Sequence, residues 1–535
     1  MEHELISCSP SLSGLLNPGH QPGFFLSQTL NRVFLCKIRL PGIWKAKASF
    51  MSKKFLFVST TIVLATVFIT AFSDSKTKLN RFSAENKYSD TLYPAALMAR
   101  DHKGKSITSS RGVISLTSGL DNDYYLLDST GRTGFLYIET KLEKFINERS
   151  ARVPLNLSVV IDRSGSMSGE KMEFAKKAAI DIIHKLTPDD FVSIVIYDDK
   201  VELLQPSVRV TDKFAIITKV KQIETGGSTN LWGGAEKGFE QVKAGYKKNY
   251  VNRVLLISDG LANAGITSIY EIRKRVLNYK DNDGITLSTF GVGLDYNELL
   301  MTDMAEAGNG NYYFIESPDK MAALFDKELN GLLNVAAQNA ELKIKLPRGV
   351  KLQKAFAFKH MQNSDEIVVS FRDLFSEETK GLLMKFSIDD YANVPLKFIS
   401  TLTYDDVTDN QRKFLRNENI LTPAGNNELY LTHFNEGVIQ QTVLYVANEN
   451  MERAMLEADK GNYDNARKLI SANKQYLSAN AGYVTKSEEL QKMDSVNTRY
   501  SMQLKEAETL DADGVKQMQK SNRSESYKIR GKKTN

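Results

Sequence analysis

Between residues 151 and 335 the chain alternates short apolar runs with longer stretches whose apolar residues recur at helical spacing, and few folds accept that order. The runs 155–162, 191–197, 253–258, 286–292 and 312–315 are rich in Val, Ile, Leu or aromatic residues. Strands have this character when both their faces are buried, as in a parallel sheet covered by helices. An edge strand is expected at 201–204, added by a hairpin. The stretches 170–185, 212–223, 231–247, 268–279, 296–307 and 320–333 carry the helical spacing. In the first of them Phe174, Ala178, Ile182 and Ile183 share a face, with Leu186 just beyond. The expected fold is α/β and Rossmann-like, a doubly wound, mostly parallel sheet spanning 151–335.

On both sides of this unit the apolar period changes to two. Val113-Ile114-Ser115-Leu116 and the segment 134–140, with Ser129-Thr130-Gly131 as a turn between them, form an N-terminal β segment over 113–150. The segments 342–346, 366–371 and 396–404 alternate in the same way and predict a β-sandwich domain over 336–425. The two β regions either stand apart or join as one discontinuous sandwich with the α/β unit inserted. Helical spacing returns over 436–510. There 451–458 and 463–469, separated by Lys460-Gly461-Asn462, predict a helical hairpin whose Gly-Asn-Tyr-Asp-Asn-Ala turn is similar to one tetratricopeptide unit. Residues 511–535 are rich in Lys, Arg, Ser and Asn and lack an apolar period, so they are expected to be a disordered tail.

Before the β segment, Lys53 and Lys54 precede an uncharged, mostly apolar run over 55–72 that closes on Ala71-Phe72-Ser73. This is the order of an export signal, either cleaved or kept as a membrane anchor through 55–72. Residues 51–73 are therefore read as signal peptide or signal anchor, 74–112 as a linker, and 1–50 as a leader preceding a true start at Met51. The protein is expected outside the cytoplasm: periplasmic, secreted or anchored facing outward. Both cysteines, Cys8 and Cys36, fall in the leader, which leaves a mature chain from about Asp74 without disulfides or thiolate metal ligands. Lys and Arg exceed Asp and Glu by only 70 to 64 over 535 residues, and so small a surplus argues against a nucleic-acid binder.

The chemistry concentrates where strands end. Val159-Val160-Ile161-Asp162-Arg163-Ser164-Gly165-Ser166-Met167-Ser168-Gly169 runs from a buried strand through an Asp into a Ser/Gly loop that opens a helix. Asp-x-Ser-x-Ser by itself is a cheap pattern. Its place at the carboxyl end of the first strand of an open α/β sheet is where such folds bind ligands. Thr225-Gly226-Gly227-Ser228-Thr229-Asn230 and Ile257-Ser258-Asp259-Gly260 belong to the same rim. Three loops thus bring together hydroxyls of Ser164, Ser166 and Thr229 and carboxylates of Asp162 and Asp259. A donor set made only of oxygen suits a hard cation, Mg²⁺ or Mn²⁺ ahead of Ca²⁺. Neutral hydroxyl ligands leave much of the ion's charge uncompensated, so an external carboxylate, an exposed Asp or Glu of a partner protein, is the expected last ligand.

These five positions and their spacing resemble the metal-ion-dependent adhesion site of the von Willebrand factor type A family, over about 151–335. Gly291-Val292-Gly293 and the segment 308–314 resemble the family's closing strands. The resemblance implies that Ser164, Ser166 and Thr229 bind the metal directly, while Asp162 and Asp259 act largely through water. The flanking β segments resemble those of bacterial envelope proteins with this domain and of inter-alpha-trypsin-inhibitor heavy chains. Together these imply a metal-dependent adhesion or protein-binding protein of the cell envelope. A non-catalytic subunit of a metal-chelatase-like complex and a structural envelope component are the alternatives.

The competing explanation for the serines, the threonine and the aspartates is helix capping or plain strand-end turns, and it has to hold for three loops at once. Trp232 is expected on the buried face of its helix rather than on the rim. Asp198 and Asp199 are read as a turn before Val201, and His184 as structural. No Ser/His/Asp grouping, paired catalytic carboxylate, phosphate-binding loop or His-Glu-x-x-His sequence is present, so a binding protein is expected and not an enzyme.

Overall fold

The computed structural model describes residues 102–127, 132–145, 152–358, 360–363, 365–389 and 393–532. The leader, the apolar run at 55–72 and the linker as far as residue 101 lie outside them. The first strands are β1 (Ile107–Arg111), β2 (Ile114–Leu120), β3 (Tyr124–Tyr125) and β4 (Thr133–Leu142). The linker expected to reach residue 112 therefore ends earlier, because 107–111 pairs antiparallel with β2 as an edge strand. None of its five side chains is buried, so it has no apolar period to announce it.

The α/β unit follows, with β5 (Leu155–Asp162), α1 (Glu170–Lys185), β6 (Phe191–Tyr197), β7 (Val201–Arg209), α2 (Lys213–Lys221), α3 (Leu231–Ala244), β8 (Val251–Ser258), α4 (Ile269–Asp283), β9 (Thr286–Val292), α5 (Glu298–Ala307), β10 (Asn309–Ile315) and α6 (Met321–Leu333). Its sheet has the order β10-β9-β8-β5-β6-β7, and every neighbouring pair is parallel except β6 with β7. Every residue of β5, β8 and β9 is buried, as the apolar runs require. Leu157, Val159 and Ile161 pack with Ala178, Ile182, Ile216 and Phe325 on one face of the sheet. Val160 packs with Phe239, Val276 and Met304 on the other. The chain leaves β5 for β6 on one side and returns to β8 on the other. Connections diverge there, which opens a crevice over the carboxyl ends of β5 and β8.

Next come β11 (Val335–Lys345), β12 (Val350–Phe356), β13 (Met361–Asn363), β14 (Glu366–Phe375), β15 (Thr379–Ile388), β16 (Leu396–Asp406) and β17 (Arg412–Pro423). They join the opening strands in two sheets, β1-β2-β4-β15-β12 and β13-β14-β11-β16-β17-β3. Tyr137 lies opposite Leu383 in the first sheet, and Tyr124 opposite Thr422 in the second. Leu116, Leu136 and Ile138 from before the α/β unit share a core with Leu342, Phe371 and Leu402 from after it. The two β regions are thus one sandwich, and the α/β unit is an insertion between its fourth and its next strand.

The remaining helices are α7 (Asn427–Thr432), α8 (Glu436–Asp459), α9 (Tyr463–Ala479), α10 (Ala481–Val484), α11 (Glu488–Glu506) and α12 (Ala512–Gly531). The expected hairpin is α8 and α9, which turn at Lys460-Gly461-Asn462 with Gly461 at φ +77°. The disordered tail expected over 511–535 is corrected: 512–531 is a helix, capped by the Asp511 carboxylate, which accepts the Gly514 N–H at 2.8 Å. It lacks an apolar period because its buried face carries polar residues beside Met518 and Tyr527. Gln519 accepts from the Tyr500 hydroxyl at 2.8 Å, Lys520 donates to the Tyr296 carbonyl at 3.0 Å, Asn522 donates to Gln503 at 2.8 Å, and Ser526 donates to Glu452 at 3.0 Å. Buried polar side chains are tolerated where they find such partners.

Candidate metal centre

Asp162 ends β5 and anchors the crevice. Its Oδ1 accepts the Ser164 N–H at 2.9 Å and its Oδ2 accepts the Ser258 hydroxyl at 2.6 Å. Burial pushes its carboxyl up to about 6; hydrogen bonds from Ser258 and Ser164 resist the rise and the Asp259 charge adds to it. The chain then makes a single tight turn over Gly165–Met167 before α1. The Ser164 and Ser166 hydroxyls stand 3.1 Å apart, and Ser166 donates to Asp259 Oδ1 at 2.8 Å.

The second loop is tied to the first through backbone bonds from Gly165 N–H to the Gly227 carbonyl (3.2 Å) and from Gly226 N–H to the Arg163 carbonyl (2.8 Å). Thr229 N–H donates to Asn263 Oδ1 on the third loop at 2.9 Å. A Cβ added to Gly260 would lie 2.8 Å from Thr229 Oγ1 and 3.4 Å from Asp162 Oδ2. All five residues named from the sequence therefore converge above the ends of β5 and β8. Asp162, Ser164, Thr229 and Asp259 are buried, while Ser166 is exposed and marks the opening to solvent.

Helix capping does not account for them. The residue preceding α1 is Gly169, and the cap of α3 is Asn230, whose side chain accepts the Gly233 N–H at 3.0 Å. The hydroxyls of Ser164, Ser166 and Thr229 are free of that duty.

Residues 156–327 match the family model of the von Willebrand factor type A domain. The chain carries a von Willebrand factor type A domain. The uncharacterized protein YfbK of Escherichia coli (strain K12) is 32% identical over 201 residues, 37% of this chain and 35% of that protein. Inter-alpha-trypsin inhibitor heavy chain H1 of Sus scrofa is 27% identical over 202 residues, 35% of this chain and 22% of that one. The chain thus spans about a third or less of the length of these two relatives. Among solved structures, a von Willebrand factor type A protein from Catenulispora acidiphila superposes with a TM-score of 0.59 at 14% identity. It covers 78% of this chain and 98% of its own, so the fold is shared beyond the type A domain.

The type A domain's donor set fits a hard divalent cation. The five converging side chains offer oxygens alone, two of them carboxylates in a buried crevice, where negative charge is costly unless a cation pairs with it. Among the described residues no group of three or more His, Cys, Asp or Glu could hold a metal, so an ion in this domain would depend on the hydroxyls of Ser164, Ser166 and Thr229.

Several supporting residues were not singled out from the sequence. Ser258 fixes Asp162, and Asn263 fixes Thr229 through its backbone. Asp198, read as a turn residue, accepts the Asn230 N–H on its carbonyl at 2.7 Å and pairs with Arg163 at 3.1 Å, so it braces the first two loops. Lys171, in the first turn of α1, places its Nζ 2.5 Å from Asp259 Oδ2. Ser258 adjoins Asp259 in the motif itself; the others carry no local signal. Trp232 is 2% exposed and packs in the core near Phe239. His184 is exposed in the last turn of α1.

Proposed function

We propose that this is a metal-dependent protein-binding protein of the cell envelope. In this reading Ser164, Ser166 and Thr229 hold Mg²⁺ or Mn²⁺ directly, Asp162 and Asp259 hold it largely through water, and an exposed Asp or Glu of a partner protein completes the coordination. The observation that carries the reading is the convergence of these five oxygen-bearing side chains from three separate loops at the point where the sheet's connections diverge. Hydroxyl ligands are neutral and the two carboxylates act largely through water, so the ion keeps enough of its charge to attract an anionic side chain. In this reading the chain binds and does not catalyse. In this reading the apolar run at 55–72 serves as an export signal or anchor and the chain works outside the cytoplasm.

The test is capture of partners from envelope extract by the full chain in Mg²⁺ and in EDTA. Capture lost in EDTA and restored by Mg²⁺ supports the reading. Capture indifferent to EDTA overturns it, and a metal that only raises the melting temperature assigns it a structural role.

A further inference from the structure

Lys171 holds the one oxygen of Asp259 that the serine loop does not. Ser166 donates to Oδ1 at 2.8 Å, while the Lys171 ammonium lies 2.5 Å from Oδ2 and 3.2 Å from the Ser166 carbonyl. Asp259 is fully buried, whereas the Lys171 side chain is 27% exposed, so the ammonium enters the crevice from solvent. Gly293, at φ +74°, closes over it: a Cβ there would stand 3.4 Å from Lys171 Cε and 3.5 Å from Nζ.

From this geometry, and resting on the metal-site reading above, we infer that Lys171 is a tethered cation that competes with the divalent ion for Asp259 and so sets a deliberately moderate metal affinity. Two cations cannot both take full advantage of one carboxylate. Each weakens the other's attraction, and they repel one another across a few ångströms. Without metal, the ammonium keeps Asp259 from standing as a buried, unpaired charge, which would be strongly destabilising. When a metal takes Asp259, the ammonium withdraws toward solvent. Asp295 stands nearby on the loop after Gly293; its carboxyl is held below the usual range first by its hydrogen bond to Lys516 and also by the Lys171 charge. The metal site therefore exchanges one bound cation for another instead of filling a bare anionic pocket.

Isothermal titration of the full-length chain with MgCl₂, together with thermal melting in EDTA, tests this with Lys171→Gln and Lys171→Arg. Lys171→Gln should bind Mg²⁺ about tenfold more tightly than the wild type and melt at a lower temperature in EDTA. Lys171→Arg keeps the charge and should bind Mg²⁺ no more tightly than the wild type, which decides the matter if the Gln variant fails to fold. Equal or weaker Mg²⁺ binding by a folded Lys171→Gln, or tighter binding by Lys171→Arg, overturns this inference and leaves the metal site standing. Mg²⁺ binding by none of the three proteins overturns both.

Discussion

The hydroxyl of Tyr527, near the end of the last helix, accepts the backbone N–H of Tyr312 in the type A domain at 3.1 Å, and the two rings meet edge-on with centroids 5.5 Å apart. A residue 215 positions away in sequence thus completes one face of the inserted domain. Around it Arg523 bridges Glu298 and Asp459, and Lys516 pairs with Asp295 at 2.8 Å. Replacing Tyr527 with Ala should weaken the docking of α12 by about 3 kcal/mol, and Tyr527→Phe by about 1 kcal/mol, through loss of a buried ring and of the hydroxyl's hydrogen bonds respectively. Hydrogen exchange should show faster exchange over 512–531 with the central strands unchanged. Uniform loss of protection across the type A domain would contradict a local docking role.

Beneath the sheet Arg253 and Glu328 form a buried pair, 2.7 Å apart with side chains 2% and 1% exposed. Glu328 also accepts from Ser288, Asn311 and Tyr313, and Arg253 donates to Thr286 at 2.9 Å. Arg253→Met strands a buried carboxylate and should cost about 3–5 kcal/mol in urea unfolding, while Arg253→Met with Glu328→Gln recovers much of it. Burial works to raise the Glu328 carboxyl, but the Arg253 charge and these hydrogen bonds hold it below its ordinary value. The contribution is therefore present above the unfolded carboxyl's range and is lost in acid, as pH falls through the lower value of the folded state. A wild type and a double variant with the same acid sensitivity would show that the pair carries no such term.

Gly260 offers a way to perturb the crevice without altering any ligand. A methyl group there would press on Thr229 Oγ1 at 2.8 Å and approach Asp162 Oδ2 at 3.4 Å. Gly260→Ala should lower Mg²⁺ affinity by about tenfold or more while changing the EDTA melting temperature little, because positioning errors well below an ångström suffice to spoil a metal site. Asp162→Ala and Thr229→Ala should abolish Mg²⁺ binding in the same titration. Unaltered Mg²⁺ affinity in Gly260→Ala would place the ion elsewhere.

The sequence by itself determined the α/β unit and the location of its crevice. Strands buried on both faces, such as β5 and β8, are rich in apolar residues, and Asp162 and Asp259 are conspicuous because each stands where such a run ends. Ser164, Ser166 and Thr229 follow from the loops those strands enter. Other features were decided only by tertiary structure. The sandwich closes by pairing Tyr137 with Leu383, and period-two alternation does not say which strand lies alongside which. Helix α12 buries Lys520 and Asn522 through partners on distant segments, so its composition imitates a solvated tail. Lys171 looks like any charged residue in a first helical turn, and only the return of β8 beside β5 brings Asp259 under its ammonium. Apolar burial leaves a local trace in the chain because it depends on residue type, whereas polar pairing depends on who the partner is, and partners are assigned by the fold.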